Sequence, residues 1–214
     1  MYPIEQHISE VLCSLRDRRR CIVITPTGSG KSTVLPIRLL QQVKKQLWLV
    51  QPRRAATRLV ATRIAQLLSV KLGSTVGYHI QWDNCSSAQT RLLVMTEGIL
   101  LQRLQRDPLL NDVSLIVLDE FHERSLSLDL ALGFLQEVQE VQEELQVLCM
   151  SATLDPTNLM NYWQGEANVV RGSGRSYPVD IRYQRFHPRD RWKEMAECIA
   201  SIDHPSGNLL AFLP

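Results

Sequence analysis

An α/β fold, a mostly parallel sheet with helices on both faces, is predicted by three features of this 214-residue chain. Short runs rich in Val, Ile and Leu recur between turn residues, as strands buried on both faces require. Segments with helical spacing lie between them, so strand and helix alternate. Near the amino terminus a strand, a glycine-rich turn and a helix follow one another through "TPTGSGKST", residues 25–33. In such sheets, ligands bind at the carboxyl ends of the strands.

The first strand is placed at residues 21–25 and the first helix at 34–42. Pro36 is expected to kink that helix, because proline lacks the amide donor and crowds the preceding turn. A second strand spans 47–51, after which Ala56, Val60, Ile64 and Leu67 mark one face of a helix. Strands follow at 91–96 and 115–119. Leu128, Leu132, Leu135, Val138 and Val141 define another helix face, and 146–151 is a further strand. After Val169 and Val170, "RGSGRSYP" concentrates Gly, Ser and Pro, the composition of a linker. A boundary near Gly174 divides the chain into 1–173 and 174–214. An alternating strand (179–184), a helix (191–202) and the apolar run "NLLAFLP" cannot close a core, so 174–214 read as the truncated opening of a second domain.

The chain is 44% hydrophobic, enough for one proper core. It has no run of 18 or more apolar residues and no secretory-signal pattern at its start, so a cytoplasmic protein without membrane contact is expected. The five cysteines are scattered and lack C-x-x-C spacing, as reduced structural cysteines are. The net charge of +2 conceals an asymmetry. Residues 11–63 carry twelve Lys or Arg against Asp17, and residues 118–144 carry eight acids against Arg124. The basic stretch is where a polyanion would bind, the bland alternative being solvated helix faces.

A glycine turn between a strand and a helix opening with Lys-Ser binds nucleotide phosphates. Consecutive amides from Thr27 to Thr33 curve around the anion, and the helix end adds partial positive charge. Gly28 and Gly30 allow the turn, with Ser29 between them. Lys31 is the point charge for the terminal phosphates, and the Ser32 hydroxyl is a ligand for Mg²⁺. Thr25 stands where the usual pattern has glycine. Asp119 and Glu120, after the apolar run of "LIVLDEFHER", are the acids that Mg²⁺ and an attacking water require. The first orients the metal and the second polarises the water. His122 lacks the spacing of a zinc-binding helix pair, so no metal role is given to it. Aromatic residues make up 6% of the chain, and none forms an obvious platform for stacking bases.

"TPTGSGKST", "QPRRAA", "TEGIL", "DEFHERS" and "SATLD" together resemble, in order and spacing, the first motor domain of DEAH-box helicases of superfamily 2. "GRSYPV" is similar to the family's passage into its second domain. The likeness covers essentially the whole chain and is strongest toward bacterial members. It implies a RecA-like P-loop NTPase domain followed by the start of a second one, using ATP or another NTP with Mg²⁺ to move along single-stranded nucleic acid, usually RNA. On that resemblance Arg53, Arg54 and Thr96 contact strand phosphates, and Ser151 and Thr153 couple the nucleotide site to strand grip. His122 faces the second domain across the cleft. The family's later motifs would supply arginines to the γ-phosphate, so this chain is expected to bind nucleotide and hydrolyse it poorly. Phe121 departs from the family pattern, which has Ala there.

Three functional classes stay open: an RNA helicase, a translocase on duplex DNA, and a nucleotide-gated clamp that does not unwind. A small-molecule kinase would not need "PRR", "TEG" and "SAT" at strand ends.

Overall fold

The computed structural model describes residues 2–172, 181, 183, 191–201 and 210–212. The chain forms two compact units, Met1–Tyr177 and Pro178–Pro214. The first holds one eight-stranded sheet: β1 (Arg20–Ile24), β2 (Gln46–Gln51), β3 (Val76–Ile80), β4 (Asp83–Cys85), β5 (Leu92–Thr96), β6 (Val113–Leu118), β7 (Gln146–Ser151) and β8 (Asn168–Arg171). Their order across the sheet is β4-β3-β5-β2-β6-β7-β1-β8. Every pairing is parallel except that of β3 with β4, an antiparallel hairpin at one edge. The fold class expected from the sequence is therefore observed.

Successive side chains of a strand point to opposite faces, and the core divides accordingly. Ile22, Trp48, Val50, Leu93, Met95, Ile116, Leu118 and Cys149 belong to one buried cluster. There they meet α4 (Glu97–Arg106), α5 (Leu126–Val141) and α6 (Thr157–Tyr162). Cys21, Val23, Leu47, Leu49, Val94, Val117, Leu148 and Met150 belong to the other, with α1 (Ile8–Arg18), α2 (Val34–Leu40) and α3 (Arg54–Leu67). Two covered faces explain the unbroken apolar runs of the central strands. Each of the five expected strands falls within two residues of an observed one.

β3 and β8 escape sequence reading for physical reasons. β3 is only partly buried, and Gly77 within it has no side chain because an added Cβ would lie 2.5 Å from the Cys85 carbonyl oxygen. β8 is a four-residue edge strand. Pro36 is the third residue of α2, where the first-turn amides lack intrahelical partners in any case. Without its N–H, the bond to the Ser32 carbonyl cannot form, and residues 31–33 are a turn ahead of the regular helix.

In the second unit, α7 (Arg191–Ser201) occupies the expected helical stretch. The boundary at Gly174, the "GRSYPV" passage and most of the strand expected at 179–184 lie outside the described residues. Among the described residues, no helix is long and apolar enough to cross a membrane.

Candidate functional site

The tips of β1, β2, β6 and β7 lie side by side and present the residues singled out from the sequence. After β1 the chain turns through Gly28 (φ +79°) and Gly30 (φ +93°), left-handed conformations that glycine adopts without steric cost. The Gly30 carbonyl accepts from the amides of Val34 and Leu35, joining the loop to α2. Thr25, buried where glycine is usual, exchanges a 2.9 Å hydrogen bond with the Ser29 hydroxyl and so closes the loop across its base. Its methyl group fills the space that a side chain on Gly172 would need, with 2.6 Å from Thr25 Cγ2 to an added Cβ. The departure at Thr25 is thus accommodated by a second glycine, distant in sequence.

Lys31 is almost wholly buried, and its Nζ lies 3.3 Å from Glu120 Oε1. The glycine loop and the acid pair therefore face one another. Asp119, at the end of β6, is 2% exposed. Gln51 Nε2 donates to its Oδ2 at 2.6 Å, and the Glu120 amide donates to its Oδ1 at 2.9 Å. Burial pushes the Asp119 carboxyl above the ordinary carboxylate range, against the Ser32 hydroxyl bond that lowers it, and the neighbouring Glu120 charge pushes the same way as burial. Gln51 was not singled out from sequence. Its signal is positional: it ends β2, and β2 pairs with β6.

Glu120 has φ +50°, uncommon for a non-glycine residue, and opens a short 3-10 turn, Phe121–Glu123. Phe121 is fully buried in the core under the Arg124 guanidinium, 5.3 Å from its ring, and anchors this turn. His122 Nδ1 lies 3.1 Å from Ser151 Oγ and 3.5 Å from Glu120 Oε2. Ser151 Oγ in turn accepts from the amides of Thr153 and Leu154. A continuous polar path joins the acid pair to the "SAT" turn through His122.

A cleft of about 480 Å³ is lined by Thr27, Ser32, Arg53, Glu120, His122 and Thr153, among others. A second hollow beside it is lined by Arg54, Gln81, Thr96 and Gly98, with Pro52 common to both. The consecutive arginines thus diverge. Arg53 pairs with Glu123, Nη2 to Oε1 being 3.0 Å, whereas Arg54 Nη2 donates to the Gln81 side chain. The rest of the basic stretch is not one patch. Arg19 and Arg20 donate to Gln139 of α5, Arg38 pairs with Glu5 and Lys45 with Glu144.

One aromatic residue unremarked in the sequence stands out. Trp82, at the tip of the β3–β4 hairpin next to Gln81, is 91% exposed with φ +68°. Its sequence signal is a tryptophan directly before the Asp-Asn that opens β4.

Among the described residues there is no group of three or more His, Cys, Asp or Glu side chains able to hold a metal. A glycine turn and a lysine after β1, facing two acids after β6 with only β7 between the two strands, have the form of a phosphate-loop nucleotide-binding domain. The chain belongs to the DEAD/DEAH box helicase family, whose model matches residues 3–162. It is 44% identical over 99% of its length to the ATP-dependent RNA helicase HrpB of Escherichia coli K12 and 35% identical to HrpA of the same organism. It spans 27% and 17% of those relatives. Two crystal structures of E. coli HrpB, described as a DEAH/RHA helicase and a DExH-box NTPase, superpose with TM-scores of 0.87 and 0.80 at 42% identity. They cover 95% and 94% of this chain, which in turn covers 27% and 26% of those chains.

Proposed function

We propose that this chain is the nucleotide-binding motor domain of an NTP-dependent RNA helicase, gripping Mg-NTP at one set of strand tips and single-stranded RNA at the next. The observation that carries this reading is the Lys31–Glu120 contact across a cleft that also reaches Ser32, Arg53 and Thr153. The amides of Thr27 to Thr33 and the Lys31 ammonium hold the β- and γ-phosphates of ATP or another NTP. With phosphate bound, Lys31 exchanges its carboxylate partner for phosphate oxygens and frees Glu120.

Ser32 and Asp119 fit Mg²⁺: both offer hard oxygen ligands, and a buried carboxylate whose protein donors do not offset its desolvation is suited to a cation. Few protein ligands are needed, because magnesium retains water and phosphate oxygens. When bound, the ion neutralises phosphate charge. Glu120 accepts a proton from the attacking water, and His122 fixes its position through the hydrogen bond to Ser151. Arg54 and Thr96 border the neighbouring hollow and hold strand phosphates together with Arg53. Trp82 offers a stacking face beside them. The second unit is read as the start of another RecA-like domain.

The test is binding of labelled single-stranded RNA and of duplex DNA by the same chain across a salt series. Tighter, steeply salt-dependent binding of the single strand supports the RNA reading. Equal or stronger binding of the duplex favours a DNA translocase.

A further inference from the structure

We propose that Arg53 is a shared residue. In the strand-free protein its guanidinium is held by Glu123, and a backbone phosphate of a bound strand competes for it, releasing the turn that directly follows Asp119 and Glu120. This rests on reading the strand-tip edge as a single-strand site.

Arg53 Nε donates to Glu123 Oε2 at 3.3 Å while Nη2 lies 3.0 Å from Oε1, a two-pronged grip on one carboxylate. Phosphate presents the same forked acceptor geometry, so the two anions are exchangeable ligands of one guanidinium. The Arg53 side chain is 73% exposed, within reach of an incoming strand, and an exposed ion pair is weak enough to yield. Arg53 also precedes α3 without a side-chain cap, so its cation opposes the helix dipole and gains from whichever anion it holds.

Glu123 does not stand alone. It ends the Phe121–Glu123 turn, flanked by Glu120 at φ +50° and Arg124 at φ +35°. Two left-handed non-glycine residues persist only where the surroundings hold them, and the Arg53 grip is one such restraint on the turn. The turn also contains His122, bonded to Ser151. Loss of the Glu123 restraint would therefore be felt at Glu120 and at the "SAT" turn together. Arg54 is directed elsewhere, to Gln81 and the Thr96 hollow, and supplies a constant strand contact.

The experiment is a double-mutant cycle on the full chain, read by the anisotropy of a labelled single-stranded oligouridylate. Glu123→Gln removes the competitor and should tighten binding roughly two- to fivefold, the scale of an exposed ion pair. Arg53→Gln should weaken binding and reduce the logarithmic salt slope by about 0.7, one phosphate contact on a single strand. In the Arg53→Gln background, Glu123→Gln should then change nothing. Equal tightening in both backgrounds would mean that Glu123 acts only as a repulsive charge and would overturn the proposal, as would no tightening in the wild type. A saturating strand should also shift the affinity for Mg-nucleotide in the wild type, and the shift should shrink in each single variant. An undiminished shift would sever the pair from the nucleotide site. A chain that binds no strand at all would instead overturn the single-strand reading beneath it.

Discussion

At the scale of the residue, Asp119 and Glu120 adjoin in sequence yet occupy different environments, and their replacements should differ. Glu120 touches the Lys31 ammonium from a partly open position. Glu120→Gln should leave Mg-nucleotide binding within a few-fold of wild type while lowering any turnover by about 10²-fold or more, measured by phosphate release. Asp119 is buried with its carboxyl pushed above the ordinary range. Its folded form therefore binds a proton more readily than the unfolded chain does. The stability it contributes is complete below its unfolded value and declines as pH rises through the folded one. Asp119→Asn should accordingly raise the nucleotide-free melting point near neutral pH, by about 0.5–2 kcal/mol of stability, with the gain vanishing in acid and Mg-nucleotide binding lost. A melting series from pH 4 to 8 checks the sign. The acids and the glycine loop were legible because their chemistry is local in sequence. Gln51, Glu123 and Trp82 were not, because each gains meaning only from strand register or from a hairpin tip.

At the scale of the element, the turn after β6 depends on how its two ends are secured. Phe121, where the family pattern has alanine, is fully buried among the residues packed against α5. Phe121→Ala should cost about 3–5 kcal/mol through the cavity it leaves, which denaturant titration would show. Downstream, Ser125 caps α5 by accepting from the Leu128 amide at 3.0 Å and donates its own hydroxyl to the Glu97 carboxylate. Ser125→Ala should cost about 0.5–2 kcal/mol. A smaller loss would mean that the cap is redundant with the packing of α5. The central strands and α3 and α5 were readable because burial on two faces, or on one broad stripe, writes a periodic pattern. The edge elements lacked that pattern. In α2, Pro36 is the third residue, where a missing amide donor removes little.

At the scale of the whole molecule, the parallel sheet gathers residues from four separated stretches onto one edge. There the glycine loop, Glu120 and the "SAT" turn share a cleft that Arg53 also lines, whereas Arg54 lines the hollow beside it. That division gives a simple physical route from strand to nucleotide, with one guanidinium between them. Most charges of the basic stretch are engaged by acids or carbonyls of the domain, Arg53 among them. Charge counts along a chain do not reveal such pairing, which arises only on folding. Calorimetric titration of the chain with Mg-ATP shows whether one triphosphate is held between Lys31 and the acids that follow β6. Wild type should bind with a single site, Lys31→Ala should weaken that binding by at least about tenfold, and omission of magnesium should weaken it further. Binding of equal strength by Lys31→Ala, or none by the wild type, would rule out a triphosphate held at Lys31.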